Sequence, residues 1–423
     1  MSLYAAADSP VRNWAGGFAW LWGLGAVRDD PSSDAVGFGA GAEATELQRL
    51  IGEGRLRGAI VTASTPGPAA GILPARRAVA GRAEFAGGTT VGAELIAVEA
   101  AVDVRCRSSL GVHAVRSGDV LVLGIDPSAS WGRVDAFWAY ELIHAHLEEL
   151  LGRLPRRLPA IGALRLDDTP GTAQHQLEGR AKGDRRQRRR IRRSARRFAA
   201  AGAVLNVAVA AEALDGERRV PIERVWPGAI AALREAIEIG GFAPVCHGLL
   251  HLDTDALARG EVEFREFASL DAAEAGRRLD VALAWQEEHL GRRPSSFVAP
   301  AWSYGEHGVG AAEDRGLITW HRSRPGPLLE GDRLYESLFG ALHGLDGLDY
   351  SPLQRLAAIG IPPIVAMHGA LLDSRLAELK RPGAAPTLLR LFIKRDVRRL
   401  IGLAGIRWLA TDEFVAALRS APG

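Results

Sequence analysis

Short apolar runs recur along the chain from about residue 160 onward, and longer amphipathic stretches separate several of them. The apolar runs lie at residues 161–166, 204–210, 242–246, 296–299, 317–320, 364–367 and 406–410. Apolar residues at helical spacing occur at 185–200, 222–239, 271–290 and 387–403. Strands that alternate with helices predict parallel pairing, because a parallel strand needs a crossover connection. Seven such strands predict an α/β fold with a barrel that is incomplete or distorted.

The first third of the chain has a different pattern. Residues 56–62 and 95–125 are rich in Val, Ile and Ala and are broken by Gly-containing turns, which predicts several strands. Residues 133–151 have apolar positions at helical spacing, and the segment from Gly152 to Pro155 ends that helix. We therefore expect an α/β or mixed accessory domain at 1–130 and a linking helix at 131–157, with the barrel downstream.

The composition is that of an ordinary globular protein. Of 423 residues, 47% are hydrophobic and 24% are charged, and the formal net charge of +2 implies no particular partner. Two cysteines, Cys106 and Cys246, exclude a disulfide framework. The apolar stretch 14–27 is too short to span a bilayer and lacks a convincing cleavage site, so we expect it in the folded core. These features predict no transmembrane segment and a cytoplasmic location.

Four short polar clusters fall at the ends of predicted strands. They are Leu166-Asp167-Asp168-Thr169-Pro170, His247-Gly248-Leu249-Leu250-His251, Phe297-Val298-Ala299-Pro300-Ala301-Trp302 and Met367-His368-Gly369. In parallel barrels the active site gathers at the carboxyl ends of the strands. The clusters are therefore expected to meet in one site.

Three of these residues form a plausible ligand set for one divalent metal ion, most simply Zn²⁺. His247 and His251 are four residues apart and would share a face on a helical turn, and Asp168 adds a carboxylate oxygen. Such a set leaves coordination positions for water and substrate. The alternatives are a turn or helix cap for the acidic pair and a thiolate ligand from Cys246, which is more often a packed thiol.

The remaining polar residues suit proton transfer and substrate binding. Asp167 is a second carboxylate that could accept a proton from water, and His368 could protonate a leaving amine, although a core histidine is the alternative. Pro300 and Trp302 could form one wall of a groove, with the indole as a platform for a sugar ring; core packing is the alternative for Trp302.

These motifs resemble the polysaccharide deacetylases of NodB type. That family has an Asp-Asp pair after a strand, a His-x-x-x-His motif, a Phe-Arg-x-Pro segment and a late Leu-x-His. The corresponding segments here are Leu166-Asp167-Asp168, His247 to His251, Phe297-Val298-Ala299-Pro300 and Ala366-Met367-His368. The resemblance covers roughly residues 158–418. It implies a distorted (β/α)7 barrel and metal-dependent removal of N-acetyl groups from an amino sugar.

The resemblance also assigns roles by position. It implies that Asp167 is the general base and His368 the general acid, and that Asp168, His247 and His251 hold the metal. The family's arginine in the third motif, which steadies the base, is matched here by Val298.

Three residues are candidates for the missing cation. They are Arg165, His175 and Arg322, and the sequence does not choose among them. Two further departures are Thr169, where the family has glycine, and Gly248, where it has Ser or Thr.

A basic segment between Arg180 and Arg197 contains eleven Lys or Arg residues. It could bind an anionic polymer, or it could be the solvated outer face of a barrel helix. Ile191, Ala195 and Phe198 are spaced to pack that helix inward, which favours the second interpretation, and no nucleic-acid motif accompanies it. We therefore do not expect nucleic acid as a partner.

Three functional hypotheses remain from the sequence. The first is a deacetylase of an amino-sugar glycan. The second keeps barrel and metal but acts on another amide, such as a cyclic imide or a small N-acyl compound. The third is a glycan-binding module without catalysis, which the loss of arginine at Val298 permits and the complete set of acids and histidines disfavours.

Overall fold

A computed structural model gives the fold of most of the chain. It describes residues 1–62, 75–79, 82–85, 88–91, 94–98, 104–108, 111–124, 137–152, 158, 160–177, 179, 183–216, 218–322, 326–336, 357, 360–368, 401–402 and 405–421. The predicted helix at 387–403 lies almost wholly outside them.

The amino-terminal part is built on one mixed sheet. Its strands are β1 (Ser2–Tyr4), β2 (Ala35–Ala40), β3 (Gly58–Thr62), β4 (Ala75–Val79), β5 (Arg82–Phe85), β6 (Gly88–Val91), β7 (Glu94–Val98), β8 (Val104–Ser108), β9 (Gly111–Ser117) and β10 (Val120–Leu123). Strands β1, β2, β3 and β10 pair in parallel, whereas β10 and β9 pair antiparallel. The predicted strands at 56–62 and 95–125 are thereby confirmed.

The carboxy-terminal part contains the sheet that carries the polar clusters. Its strands are β11 (Ile161–Asp167), β12 (Leu205–Val209), β15 (Phe242–Cys246), β16 (Ser296–Phe297), β17 (Ile318–His321), β18 (Leu329–Glu330), β19 (Arg333–Tyr335), β20 (Ile364–His368) and β21 (Arg407–Trp408). A separate hairpin consists of β13 (Glu212–Asp215) and β14 (Arg218–Pro221).

Pairing in this second sheet is parallel from β20 through β11, β12, β15, β16 and β17 to β19. Only β18, at the edge, pairs antiparallel within the described part of the sheet. The seven predicted apolar runs all contain a strand of this sheet. No pairing among the described residues joins the two ends of the sheet, so a closed (β/α)7 barrel stays a prediction.

Helices connect the strands. They are α1 (Arg12–Leu21), α2 (Ala44–Gly52), α3 (Phe137–Leu151), α4 (Ala173–Leu177), α5 (Asp184–Ala200), α6 (Ile222–Val225), α7 (Pro227–Glu238), α8 (Thr254–Ala258), α9 (Ala272–Leu290), α10 (Gly308–Glu313) and α11 (Thr411–Ser420), with 3₁₀ turns at Gly41–Glu43 and Pro300–Trp302. No helix among the described residues is long and apolar enough to cross a membrane.

Local sequence explains where several helices begin and end. Asp271 caps α9 by accepting a hydrogen bond from the Glu274 amide at 2.8 Å, and Gly291 ends it with φ of +75°. The single helix predicted at 222–239 is divided into α6 and α7, because Pro227 has no amide hydrogen and starts a new helix.

Residues 184–197 of the basic segment lie in α5, whose Ile191, Ala195 and Phe198 are buried as predicted. Its arginines lie on the outer side of this packed face, and Arg192 contacts Glu235 of α7 at 2.6 Å. The amino-terminal stretch 14–27 is likewise core: Trp14 and Phe18 of α1 pack with Tyr140 of α3. The division into domains at residues 130 and 157 stays a prediction.

Candidate metal centre

The acidic pair lies where β11 ends. Asp167 is the last residue of the strand, and Asp168 follows with a left-handed backbone, φ +61°. Such a conformation is uncommon outside glycine and is best tolerated by Asp and Asn. It turns the chain sharply, so the two adjacent carboxylates enter different surroundings. They do not form the helix cap that was the alternative interpretation.

Asp168, His247 and His251 converge in the protein interior. The Nε2 atoms of His247 and His251 lie 3.2 and 3.3 Å from Asp168 Oδ1, and the two imidazole rings are 4.9 Å apart. Candidate ligand atoms of all three residues lie within 4.8 Å of one another, and all three residues are buried. The three predicted metal ligands are thus brought together.

The donor set fits a divalent metal ion. His247 places its Nδ1 2.8 Å from the Val298 carbonyl oxygen, so Nδ1 carries a proton and Nε2 is the nitrogen that could bind a metal ion. Two imidazole nitrogens and one carboxylate oxygen are the ligands that Zn²⁺ accepts in catalytic sites. No protein cation other than these imidazoles is within hydrogen-bond distance of Asp168 among the described contacts.

Electrostatics favour an ionised carboxylate at the centre of this group. Burial alone would raise the pKa of Asp168, but the contacts with His247 and His251 hold it well below its usual range. Burial lowers the pKa of His247, and the nearby Asp168 carboxylate outweighs that effect and raises it. The cluster therefore attracts positive charge, either protons or a metal ion.

The turn between His247 and His251 is shaped by a buried carboxylate. Glu266 Oε2 accepts hydrogen bonds from the amides of Leu250 at 3.1 Å and His251 at 2.9 Å, and Oε1 accepts one from Leu249 at 3.1 Å. Its side chain is fully buried. These amide–carboxylate bonds replace the helical turn expected from the spacing; that expectation was wrong, since no helix occurs between β15 and α8.

Gly248 is required by the same turn. Its φ is +76°, and a Cβ atom there would lie 2.6 Å from Glu266 Oε2. His251 also has a positive φ, +64°, which the three amide bonds to Glu266 hold in place. The departure from Ser or Thr at position 248 is thus explained by the space that the Glu266 carboxylate occupies.

Arg165 fixes the Asp167 carboxylate from two residues earlier on the same strand. Its Nε and Nη2 donate to Asp167 Oδ1 at 2.7 Å and Oδ2 at 3.0 Å, and Nη2 also donates to Glu336 Oε1 at 3.1 Å. The guanidinium carbon lies 4.7 and 5.8 Å from the ring centroids of Trp320 and Trp302. A fully buried arginine thus has two carboxylate partners and two aromatic neighbours.

Of the three cations considered from the sequence, Arg165 therefore contacts Asp167. Residues two apart on a strand point to the same side of the sheet. Arg165 can therefore reach the Asp167 carboxylate from its own strand and take the place of an arginine at position 298. Val298 contributes its carbonyl oxygen to His247 instead. Burial lowers the pKa of the Arg165 guanidinium, but the two carboxylates outweigh this and raise it.

His175 lies on the other side of Asp168. Its Nε2 is 3.9 Å from Asp168 Oδ2, and its Nδ1 is 3.0 Å from the Thr172 hydroxyl oxygen. It is buried on α4, and 3.9 Å is too long for a direct hydrogen bond to the carboxylate.

Pro300 and Trp302 form a 3₁₀ turn after β16. Pro300 is buried and Trp302 is half-buried, and the indole Nε1 donates to Glu336 Oε1 at 3.1 Å. The guanidinium carbon of Arg322 lies 4.8 Å from the indole centroid. Trp302 is therefore tied to the Arg165 network, and its ring is already in contact with an arginine.

Only the backbone of His368 lies within the described structure. It ends β20, with its Cα directly opposite that of Asp167 in the register of β11 and β20. Cys246 ends β15 and is fully buried, and burial raises the pKa of its thiol to about 12. That supports packing over ligation for Cys246, and the convergent group does not include it.

Glu266 and Glu336 were missed from the sequence. Neither belongs to a recognisable motif, and each lies in a segment with no clear periodicity. The available signal was weak: each acid is close in sequence to an aromatic residue, Phe267 and Tyr335 respectively, in a chain segment that leads into or out of the site.

Several solved structures are similar to this chain at low sequence identity. A family 4 acetyl xylan esterase from Clostridium thermocellum is 13% identical, covering 62% of this chain and 93% of its own, with a TM-score of 0.33. A family 4 carbohydrate esterase from Streptomyces lividans is 11% identical, covering 59% and 91%, with a TM-score of 0.33. A CE4 family pseudoenzyme from Bacillus anthracis is 13% identical, covering 59% and 67%, with a TM-score of 0.31.

No family model and no curated protein matches the sequence. At 10% to 14% identity and TM-scores of 0.31 to 0.35, these similar structures assign neither a family nor a function to this chain. Its function is inferred below from the residues of the site itself.

Proposed function

We propose that this protein is a metal-dependent hydrolase that removes N-acetyl groups from an amino-sugar-containing glycan. The observation that carries the proposal is the convergence of Asp168, His247 and His251 next to an Asp167 carboxylate held by Arg165. Two adjacent carboxylates thus have separate surroundings, one suited to a cation and one to accepting a proton. A closed (β/α)7 barrel around this site belongs to the same proposal.

The cofactor is proposed to be one divalent ion, Zn²⁺, held by Asp168, His247 and His251. A bound divalent ion supplies Lewis-acid chemistry, which makes water nucleophilic near neutral pH and polarises an acyl carbonyl. Val298 contributes by keeping the His247 Nδ1–H engaged, so that Nε2 is free of a proton.

In the proposed reaction Asp167 accepts a proton from the attacking water. Arg165 holds both oxygens of that carboxylate, which fixes the direction in which it takes the proton. A C–O bond forms between water and the acetyl carbon, and the C–N bond to the sugar breaks. His368 is proposed to deliver a proton to the leaving nitrogen, so the products are acetate and the free amino sugar. Pro300 and Trp302 are proposed to form one wall of the substrate groove.

The network around Arg165 bears on the competing hypotheses. Absence of an arginine at position 298 was the feature that permitted a non-catalytic glycan-binding module. Arg165 contacts Asp167 in place of such an arginine, so its absence at position 298 no longer supports the non-catalytic hypothesis. Hydrolysis of another amide, such as a cyclic imide or a small N-acyl compound, would use the same residues. Assays with different substrates distinguish this hypothesis from deacetylation.

Acetate release from N-acetylated oligosaccharides tests the proposal. We expect release by the zinc-loaded wild type and a loss of at least about 100-fold in kcat for Asp167→Asn, which preserves size and removes the base. Asp184→Asn on α5 is a carboxylate control outside the site and should stay active. Hydrolysis only of cyclic imides or small N-acyl compounds would favour the second hypothesis, and full activity of Asp167→Asn would contradict the assigned base.

A further inference from the structure

Arg322 is an exposed arginine held at the same edge of the sheet as the metal centre. It follows β17, and its guanidinium carbon lies over the Trp302 ring, 4.8 Å from the centroid. Trp302 follows β16, and both strands run parallel to β11. The carboxyl ends of these strands therefore place Arg322 on the rim that also carries Asp167 and Asp168.

No carboxylate neutralises Arg322 among the described residues. Glu336, the acid bound to the indole beneath Arg322, accepts hydrogen bonds at Oε1 from Arg165 Nη2 and from Trp302 Nε1. Exposed arginines elsewhere on this chain commonly have an acidic partner, as Arg277 has in Glu274 at 2.7 Å and Arg419 has in Asp332 at 2.6 Å. Arg322 thus combines a fixed position with an unused positive charge.

The platform beneath Arg322 is conformationally costly. Ala301 and Trp302 both have positive φ values, +53° and +54°, and neither is glycine. Left-handed conformations of ordinary side chains persist where surrounding contacts impose them, and they concentrate at functional sites. Here the bond from Trp302 Nε1 to Glu336 holds the indole in place, so that the ring can support a guanidinium group.

Contacts connect this platform to the proposed base. Trp302 and Arg165 share Glu336 Oε1 as acceptor, and Arg165 in turn holds Asp167. Two side chains in contact, Trp302 and Arg165, therefore link Arg322 to the proposed base.

We propose that Arg322 is the anion-binding group of the active site and that the substrate is a glycan bearing a carboxylate or a phosphate near its N-acetyl group. This inference rests on the proposed deacetylase function and specifies its substrate. A planar guanidinium stacked on an indole keeps its N–H edge available, which is the geometry that binds a carboxylate or phosphate through two parallel hydrogen bonds.

The test compares three N-acetylated oligosaccharides of equal length: a neutral one, one containing uronic acid and one containing sugar phosphate. For wild type we expect a KM at least about tenfold lower for one of the anionic substrates than for the neutral one. Arg322→Gln should raise the KM for that substrate about tenfold more than the KM for the neutral one, and Arg322→Lys should retain part of the preference. Which anionic oligosaccharide responds identifies carboxylate or phosphate as the recognised group.

Arg407→Gln is the matched control, because Arg407 is an exposed arginine at the opposite, amino end of this sheet, on β21. It should leave every KM unchanged. Equal KM values for all three substrates, or equal effects of Arg322→Gln on all of them, would overturn the inference.

Calorimetric binding of the same oligosaccharides separates this inference from the proposed function. If no substrate is hydrolysed but Arg322→Gln weakens only anionic binding about tenfold, the deacetylase proposal fails and the anion site stands. If hydrolysis occurs without an effect of Arg322→Gln on anionic binding, the anion site fails and the deacetylase proposal stands.

Discussion

Arg165 donates two hydrogen bonds to Asp167, its neighbour two residues along β11, with both side chains buried. One strand therefore supplies both the proposed proton acceptor and the cation that holds it. The pair also involves Glu336, so a single guanidinium is shared by two buried carboxylates. Buried charges of this kind are costly to leave without their partner.

Arg165→Met is expected to destabilise the fold and reduce turnover. It leaves Asp167 and Glu336 buried without a cation, which costs about 3–5 kcal/mol in the free energy of unfolding. Denaturant unfolding measures this value. Adding Glu336→Gln to Arg165→Met removes one uncompensated charge and should recover part of the loss.

Activity distinguishes the positioning role of Arg165 from a merely structural one. The double variant Arg165→Met with Glu336→Gln should keep a kcat well below that of wild type even when it is folded, with little change in metal affinity. A folded double variant with wild-type kcat would show that Arg165 does not position the base.

Glu266→Gln is expected to weaken metal binding without removing a ligand. Glu266 holds the amides of residues 249–251 and so fixes the position of His251. Outer partners of metal ligands typically contribute about 10- to 100-fold in affinity. Competition with a chromophoric chelator measures this effect.

Glu261→Gln is the control for this experiment, because Glu261 is exposed on the same connecting segment. An unchanged dissociation constant in Glu266→Gln, with the metal centre otherwise intact, would contradict the positioning role of Glu266.

His144 makes stability depend on pH. It is buried on α3, where Trp22 Nε1 donates to its Nδ1 at 3.0 Å, and burial lowers its pKa to about 3. The unfolded chain therefore binds a proton below pH 6.5 that the folded chain excludes down to about pH 3. The free energy of unfolding should fall by about 1.4 kcal/mol per pH unit as the pH decreases through this window.

His144→Gln retains an acceptor for Trp22 and does not titrate, so its stability should depend less steeply on pH between 6.5 and 4.5. His307→Gln, at a histidine that is 39% exposed, should keep the wild-type slope. Urea unfolding at several pH values gives these slopes. Equal slopes for wild type and His144→Gln would mean that His144 is protonated in the folded protein.

Much of the fold could be predicted because apolar runs have a direct physical meaning. The run at 242–246 has the same first and last residues as β15. Every position of a strand buried on both faces can be apolar, so the apolar run and the strand begin and end together. The helix predicted at 271–290 is α9, bounded by the Asp271 cap and Gly291. The predicted helix at 222–239 was wrong as one element, because periodicity extends across Trp226 although Pro227 interrupts the hydrogen bonding.

The candidate site was predictable in its ligands but not in its support. Asp168, His247 and His251 belong to short motifs at strand ends, where parallel topology brings them together. Glu266, which holds the turn before His251, and Glu336, which binds Arg165, come from connecting segments whose path depends on tertiary packing. Arg165 was one of three candidates for the missing cation. The structure distinguishes it from the other two, because the pleat of β11 places Arg165 and Asp167 on the same side of the sheet.

Metal content measured on purified protein tests the central claim most directly. After zinc loading and removal of free metal, wild type should contain one zinc per chain by elemental analysis, whereas His247→Ala and Asp168→Asn should contain close to none. Cys246→Ala, a control next to His247, should keep one zinc per chain. Zinc retained equally by His247→Ala and wild type, or lost in Cys246→Ala alone, would contradict a centre built from Asp168, His247 and His251.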